Sequence, residues 1–434
     1  MTGRNGTLAF SSIAAFLAIS MLAACGGGGG GAAGGALPGG NGIIPNSKPT
    51  AAPTPTPAPS GGSPKSTPTP GSKFRSPAPP ATPTPLPTPT PLPTPTPLPT
   101  ATPTPSPSQS PQNMPVLTDS SQATTGVFLG AVCTAQTISC SKFANTFRHG
   151  IALSVTYINW NTSLQSLFKY TEVGQWNAEG MTPEVTWEPT GLNLADIASG
   201  KYDSYIIAAA DYLKALGYPV FLRPFHEFNG NWYSWGLPNQ GANSQADANF
   251  IAAWQHMVDV FRWQGALNVK FVWCFSASAL HNLNAWDNPA NAYPGDSYVD
   301  WVSFDAYNRG SATDQKNWVS FDQLIAQPYN LSVQIAPNKP VMWAEGASNE
   351  YGDGGTMKAA WLQNLFSELS SPNNPYPHLR EISYFEVDPN PYHYDTLSST
   401  PTFDSFVWSM RAYDQNGVLY IRSNKQVLDN LVTP

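Results

Sequence analysis

The stretch Tyr218-Pro-Val-Phe-Leu-Arg-Pro-Phe-His-Glu-Phe-Asn-Gly230 decides the reading of the fold. Tyr218 to Leu222 is a short apolar run that predicts a buried strand, and the residues from Arg223 on are too polar and glycine-rich to continue it. Glu227 is therefore expected at the C-terminal mouth of that strand, just ahead of the aromatics Trp232, Tyr233 and Trp235. In a barrel of alternating strands and helices, reactive groups gather at this mouth, where loops vary freely on a rigid frame.

Outward from this strand, the chain offers eight candidates: 126–132, 151–157, 183–187, 218–223, 269–275, 299–305, 340–344 and 381–387. Tyr205, Ile206, Ala209, Ala210, Leu213 and Leu216 repeat at helical spacing before the fourth. Phe250, Trp254, Met257, Val258 and Phe261 do the same before the fifth, whereas helices before the second and third are weakly signalled. Short apolar strands alternating with helices predict a parallel sheet covered by helices. The strand count and the length of 116–434 favour its closure into a single α/β domain, a (β/α)8 TIM barrel.

A second carboxyl ends the seventh strand. In Val341-Met-Trp-Ala-Glu-Gly-Ala-Ser348 an apolar run stops at Glu345, and small residues follow. One such Glu is most simply a strand-end charge in a surface ion pair. Two of them in aromatic surroundings match what cleavage of a glycosidic bond requires: one carboxyl to protonate the leaving oxygen and another to attack or stabilise the anomeric carbon.

The remainder of the chain sets the context. Arg4 precedes an apolar run, Leu8 to Ala24, that ends in Leu22-Ala-Ala-Cys25. Residues 1–25 resemble a lipoprotein export signal with Cys25 lipidated as the anchor, the alternatives being a plain signal peptide with an incidental Cys or an uncleaved membrane anchor. Residues 26–115 are glycine- and then Pro/Thr-rich, with three Thr-Pro-Thr-Pro-Leu-Pro copies from Thr82 to Pro99. Proline fixes φ and removes donors, so this tract is expected to form a disordered, extended linker of about 3 Å per residue. All 14 tryptophans lie beyond it, from Trp160 to Trp408. A net charge of −7 argues against nucleic acid, and a charged content of only 11% suits a neutral substrate. Cys133 and Cys140 are close enough to bridge after export, while Cys274 in Phe271-Val-Trp-Cys-Phe275 reads as a core residue.

With these residues quoted, the region after about residue 120 resembles glycoside hydrolase family 26. The resemblance rests on Met181-Thr-Pro-Glu-Val-Thr-Trp-Glu-Pro189, Ile197-Ala-Ser-Gly-Lys-Tyr-Asp203, the stretch from Arg223 to Gly236, Ser303-Phe-Asp-Ala-Tyr307 and Trp343-Ala-Glu-Gly-Ala347. It implies a (β/α)8 barrel and retaining, endo-acting hydrolysis, mostly of β-1,4-mannan and less often of mixed-linkage β-glucan or β-1,3-xylan. It further implies Glu227 as acid/base and Glu345 as nucleophile. His226 and Tyr307 would support the nucleophile, and Trp232 would help desolvate Glu227. Two departures stand out: Phe228 replaces a common Met, and strand 381–387 lacks the tryptophan typical of mannan-cleaving members, leaving Tyr384 or Phe385 to substitute.

Further candidates come from the residues themselves. Arg223 either holds the Glu227 loop or caps its strand. Trp187, Trp232 and Trp235 are candidate platforms for a pyranose face, and His149 and Asn229 candidate substrate contacts. His226-Glu227 lacks the second histidine of a zinc-protease helix, so no metal and no cofactor are expected. The folded region has neither a phosphate-binding glycine motif nor a Gly-x-Ser-x-Gly elbow. The chain is expected to act as a monomer on a polysaccharide, touching a membrane only through Cys25. A non-catalytic glycan-binding lipoprotein is the alternative from another class.

Overall fold

The computed structural model describes residues 127–133, 139–147, 150–160, 173–282, 288–310, 318–350, 352–371, 373–388 and 394–414. Cys25, the expected signal, the Pro/Thr-rich tract and His149 lie outside them.

The elements alternate as expected. β1 (Phe128–Cys133) leads to α1 (Cys140–Phe147), β2 (Leu153–Asn159) to α2 (Val173–Ala178), and β3 (Thr182–Glu188) to α3 (Leu194–Ala198) and α4 (Asp203–Leu216). β4 (Val220–Pro224) precedes α5 (Ser244–Trp263), and β5 (Val269–Ser276) is followed by short 3-10 turns in the described part of its connection. β6 (Trp301–Asn308), α6 (Phe321–Ile335), β7 (Val341–Ser348), α7 (Thr356–Leu369), β8 (Leu379–Glu386) and α8 (Thr400–Asp414) complete the order. Every neighbouring pair of strands is parallel, and β1 pairs with β8, so the sheet closes into an eight-stranded barrel. All eight strand expectations fall on observed strands. The two weakly signalled helices are real but short, at 8 and 6 residues for α1 and α2.

Local chemistry fixes the helix ends. Asn243 caps α5 by accepting from the amides of Gln245 and Ala246, and Ser320 with Gln323 forms a reciprocal capping box on α6. Gly217, at φ 72°, stops α4 in the left-handed conformation and releases the chain into β4. Cys133 and Cys140 form a disulfide joining the end of β1 to the start of α1. No helix among the described residues is long and apolar enough to cross a membrane.

The apolar core lies between barrel and helices. Trp343 shows the layering: its ring meets Phe321 of α6 at 5.7 Å and Trp361 of α7 at 6.2 Å, outside the sheet. The barrel interior is unusually polar, with Glu184, Arg223, Asp305 and Glu381 all buried there.

Candidate active site

A register slip aims Glu345. β6 and β7 pair Ser303 with Met342 and Phe304 with Trp343, but the next pair is Asp305 with Glu345. Ala344 is thus an extra residue. In an unbroken ladder Glu345 would align with Ala306, on the helix-facing side. One residue of slip turns every later side chain to the opposite face, and bulges beside active sites act in this way. Gly346 completes the device, because a Cβ there would fall 1.9 Å from the Trp343 ring.

Turned inward, Glu345 meets Arg223, whose Nη2 donates to its Oε1 at 2.5 Å, and Tyr307, whose hydroxyl donates to its Oε2 at 2.9 Å. Burial and the Glu345 charge push the Tyr307 phenol well above its ordinary range, which keeps it a donor. Arg223 is fully buried and spans four strands. Its Nη1 lies 2.9 and 3.0 Å from the Asp305 oxygens, its Nη2 donates to Thr186 Oγ1 at 2.7 Å, and its Nε pairs with Glu184 at 2.6 Å. Arg223 therefore neither caps β4 nor holds the Glu227 loop: it holds Glu345. Cys274 is buried as expected, with its Sγ 3.3 Å from Asp305 Oδ1.

Glu227 is carried differently. Phe225 and Glu227 have φ of 54° and 52°, left-handed values that L side chains seldom adopt outside functional sites. Phe225 is anchored by packing on Phe250 and Trp254, and the Glu227 amide donates to the Cys274 carbonyl at 3.1 Å. Burial, followed by the charge of Glu345, raises the Glu227 pKa to about 7. Trp232 does not assist: its Nε1 donates to Glu227 Oε2 at 2.7 Å, and that bond favours the ionised form and lowers the pKa. The aromatic neighbour acts through its N–H, against desolvation.

His226 shares a 3.1 Å hydrogen bond through Nε2 with the Tyr233 hydroxyl, and burial, then Arg223, lowers its pKa well below the ordinary value. The ring is neutral. His226, Asp305 and Glu345 bring one potential ligand atom each within 4.8 Å of one another, but Arg223 already supplies the cation those carboxylates face.

The expected platforms divide. Trp232 is half-buried at the mouth. Trp187, 1% exposed, packs against Trp160 at 4.3 Å and Tyr205 at 5.9 Å on the helix side of β3. Trp235, also 1% exposed, stacks on Tyr233 at 4.3 Å and donates to the His226 carbonyl at 2.8 Å. Neither has a ring face open to a sugar, because each closes an aromatic cluster. Asn229 is not free for substrate either: both ends of its amide bind the Ser276 backbone, at 2.9 and 2.7 Å, pinning the Glu227 loop to β5. On β8, Tyr384 turns outward to Phe406 at 5.4 Å, while Phe385 meets Tyr307 edge-on at 5.5 Å. Phe385 alone of the two reaches the Glu345 side. Missed by the sequence reading were Asp305, Glu184 and Glu188; the available signals were alternation with Tyr307 for the first and the inward period of Glu184, Thr186 and Glu188 for the other two.

Thus two buried glutamates, one ion-paired on a strand and one desolvated on a strained loop, share a barrel mouth lined with aromatics. Residues 174–352 match glycosyl hydrolase family 26. The family-26 match runs from α2 through β7 and so contains both glutamates. Endoglucanase H of Acetivibrio thermocellus is 38% identical over 221 residues, covering 50% of this chain and 23% of that protein. A mannan endo-1,4-beta-mannosidase of Bacillus subtilis is 31% identical over 141 residues, covering 31% of this chain and 36% of its own length. The chain therefore spans about a quarter to a third of the length of these relatives. Among solved structures, a Cellulomonas fimi endo-beta-1,4-mannanase double mutant shares the fold at 15% identity and a TM-score of 0.50, over 70% of this chain and 74% of that one.

Proposed function

We propose that residues 116–434 form a retaining, endo-acting glycoside hydrolase of the family-26 type whose substrate is β-1,4-linked mannan. The observation that carries this reading is the unequal pair. Glu345 is an ion-paired carboxylate with both oxygens in hydrogen bonds, whereas Glu227 is held up to a pKa of about 7. A carboxylate gripped by a guanidinium and a carboxyl held up by burial divide the roles between them. Glu345 attacks the anomeric carbon while Glu227 gives its proton to the departing glycosidic oxygen. Glu227 then takes a proton from water, which attacks the same carbon and releases Glu345, so configuration is kept.

A second substrate reading has its own support. The longer and more identical of the two relatives carries the name endoglucanase, and β8 lacks a tryptophan. Mixed-linkage β-glucan is therefore the alternative substrate of the same mechanism. A chain that only captured glycan would need aromatics and hydroxyl partners, but no acid held near neutrality. We further infer export of the chain, anchorage through Cys25, reach through residues 26–115 and action as a monomer.

The test is incubation of the purified chain with a panel of soluble and insoluble mannans, mixed-linkage glucans and xylans, with product anomers followed by NMR. New reducing ends whose first-formed anomer is β are expected. An α anomer appearing first rules out retention, and binding without release leaves the capture reading.

A further inference from the structure

β3 presents a column of polar side chains to the barrel interior. Glu184, Thr186 and Glu188 alternate along the strand, so the pleat sends all three to one face, each about 7 Å further toward the mouth. Two are spoken for: Glu184 pairs with Arg223 Nε and Thr186 accepts from Arg223 Nη2. Glu188, the last residue of β3, stands one layer above Arg223. It is 4% exposed, and no described residue donates a hydrogen bond to its carboxyl, although its backbone carbonyl accepts from Trp160. Glu345 and Arg223 are the charges that weigh on it, and its own charge bears on Tyr233, so the carboxyl looks into the mouth.

A buried carboxyl without a partner is costly, and such groups are retained where a ligand completes them. We propose that Glu188 is a substrate-positioning residue whose carboxyl accepts a hydrogen bond from a ring hydroxyl of the sugar held beside Glu345. Sugar hydroxyls are the donors this site meets, and a carboxyl accepts from one in either protonation state. Burial, with Glu345, raises the Glu188 pKa to about 7, consistent with a group desolvated to meet a neutral donor. In taking a sugar as ligand, this role rests on the glycosidase reading above.

The test compares Glu188→Ala and Glu188→Gln with the native chain on mannohexaose, on a mixed-linkage gluco-hexasaccharide, and on analogues of each lacking single ring hydroxyls. Glu188→Ala is expected to lower kcat/KM about 30-fold on the preferred hexasaccharide. Glu188→Gln, which keeps an acceptor, is expected to lose less. One monodeoxy analogue should be cleaved equally well, within about twofold, by native and Ala chains, a signature that a merely structural role does not produce. An Ala chain within twofold of native, or a loss that is the same for every deoxy analogue, overturns the proposal. Calorimetric titration of the same oligosaccharides separates the two readings. Binding without cleavage that Glu188→Ala weakens tenfold sinks only the hydrolase reading. Cleavage or binding untouched by Glu188→Ala sinks only the Glu188 role, and neither cleavage nor binding by the native chain sinks both.

Discussion

β7 and the loop after β4 each deliver one glutamate to the same mouth, by opposite means. β7 carries Glu345 inside a paired strand, redirected by one inserted residue and gripped by Arg223 and Tyr307. The other region carries Glu227 beyond the end of its strand on left-handed backbone, with burial opposed by Ser276, Arg309 and the Trp232 indole N–H. The lesson is that charge state follows the support: a rigid strand with a permanent cation suits an ion, and a desolvated loop suits a proton carrier.

The largest effects should come from removing the carboxyls. Glu345→Ala is expected to abolish turnover of polymer and of activated aryl glycosides alike. Glu227→Ala is expected to cost about 10²–10⁴-fold on polymer while sparing the first step for a good leaving group, seen as a burst of aryl alcohol. If Glu345→Ala keeps most activity, the division between the two regions is wrong.

Removing the cation strikes the strand side alone. Arg223→Met leaves Glu184, Asp305 and Glu345 facing one another in the barrel and should cost about 3–5 kcal/mol in urea unfolding near neutral pH. Gly346→Ala drives a methyl into Trp343 and should cost about 1–3 kcal/mol, with activity falling as the bulge relaxes. Unchanged stability in both would mean that β7 is held by something other than the bulge and its guanidinium.

The smallest effect sharpens the loop side. Because Glu227 must be protonated to act first, kcat/KM should fall as pH rises through about 7. Trp232→Phe removes one bond to the ionised form and should move that fall to higher pH, as a pH–rate profile would show. Stability shares the sign. Glu184, Glu188 and Glu227 all have pKa values raised to about 7, so the stability they contribute is fully present below the ordinary carboxyl range, about pH 4, and is lost as pH climbs through about 7.

Much of the barrel was legible because its strands are short apolar runs between helical repeats, a pattern with one economical closure. The strand ends were less so: β7 runs to Ser348, where the apolar run gives out at Ala344. The site was half legible. A glutamate after an apolar run is visible as composition, but the arginine hub joins residues from β3, β4, β6 and β7, and nothing local signals that union. Trp187 and Trp235 misled because a tryptophan near a strand end reads alike whether it faces a groove or a helix. Trp232 misled because its ring was weighed and its N–H was not.

Ala344 makes orientation a matter of counting. With Ala344 kept but the bulge ironed flat, the same side chains would bring Glu345 level with Ala306 and turn its carboxylate to the helix-facing side, sealed from any sugar. Searching related chains for the catalytic letter is thus insufficient. Register against the neighbouring strand sorts barrels able to open a glycosidic bond from those that merely keep the spelling.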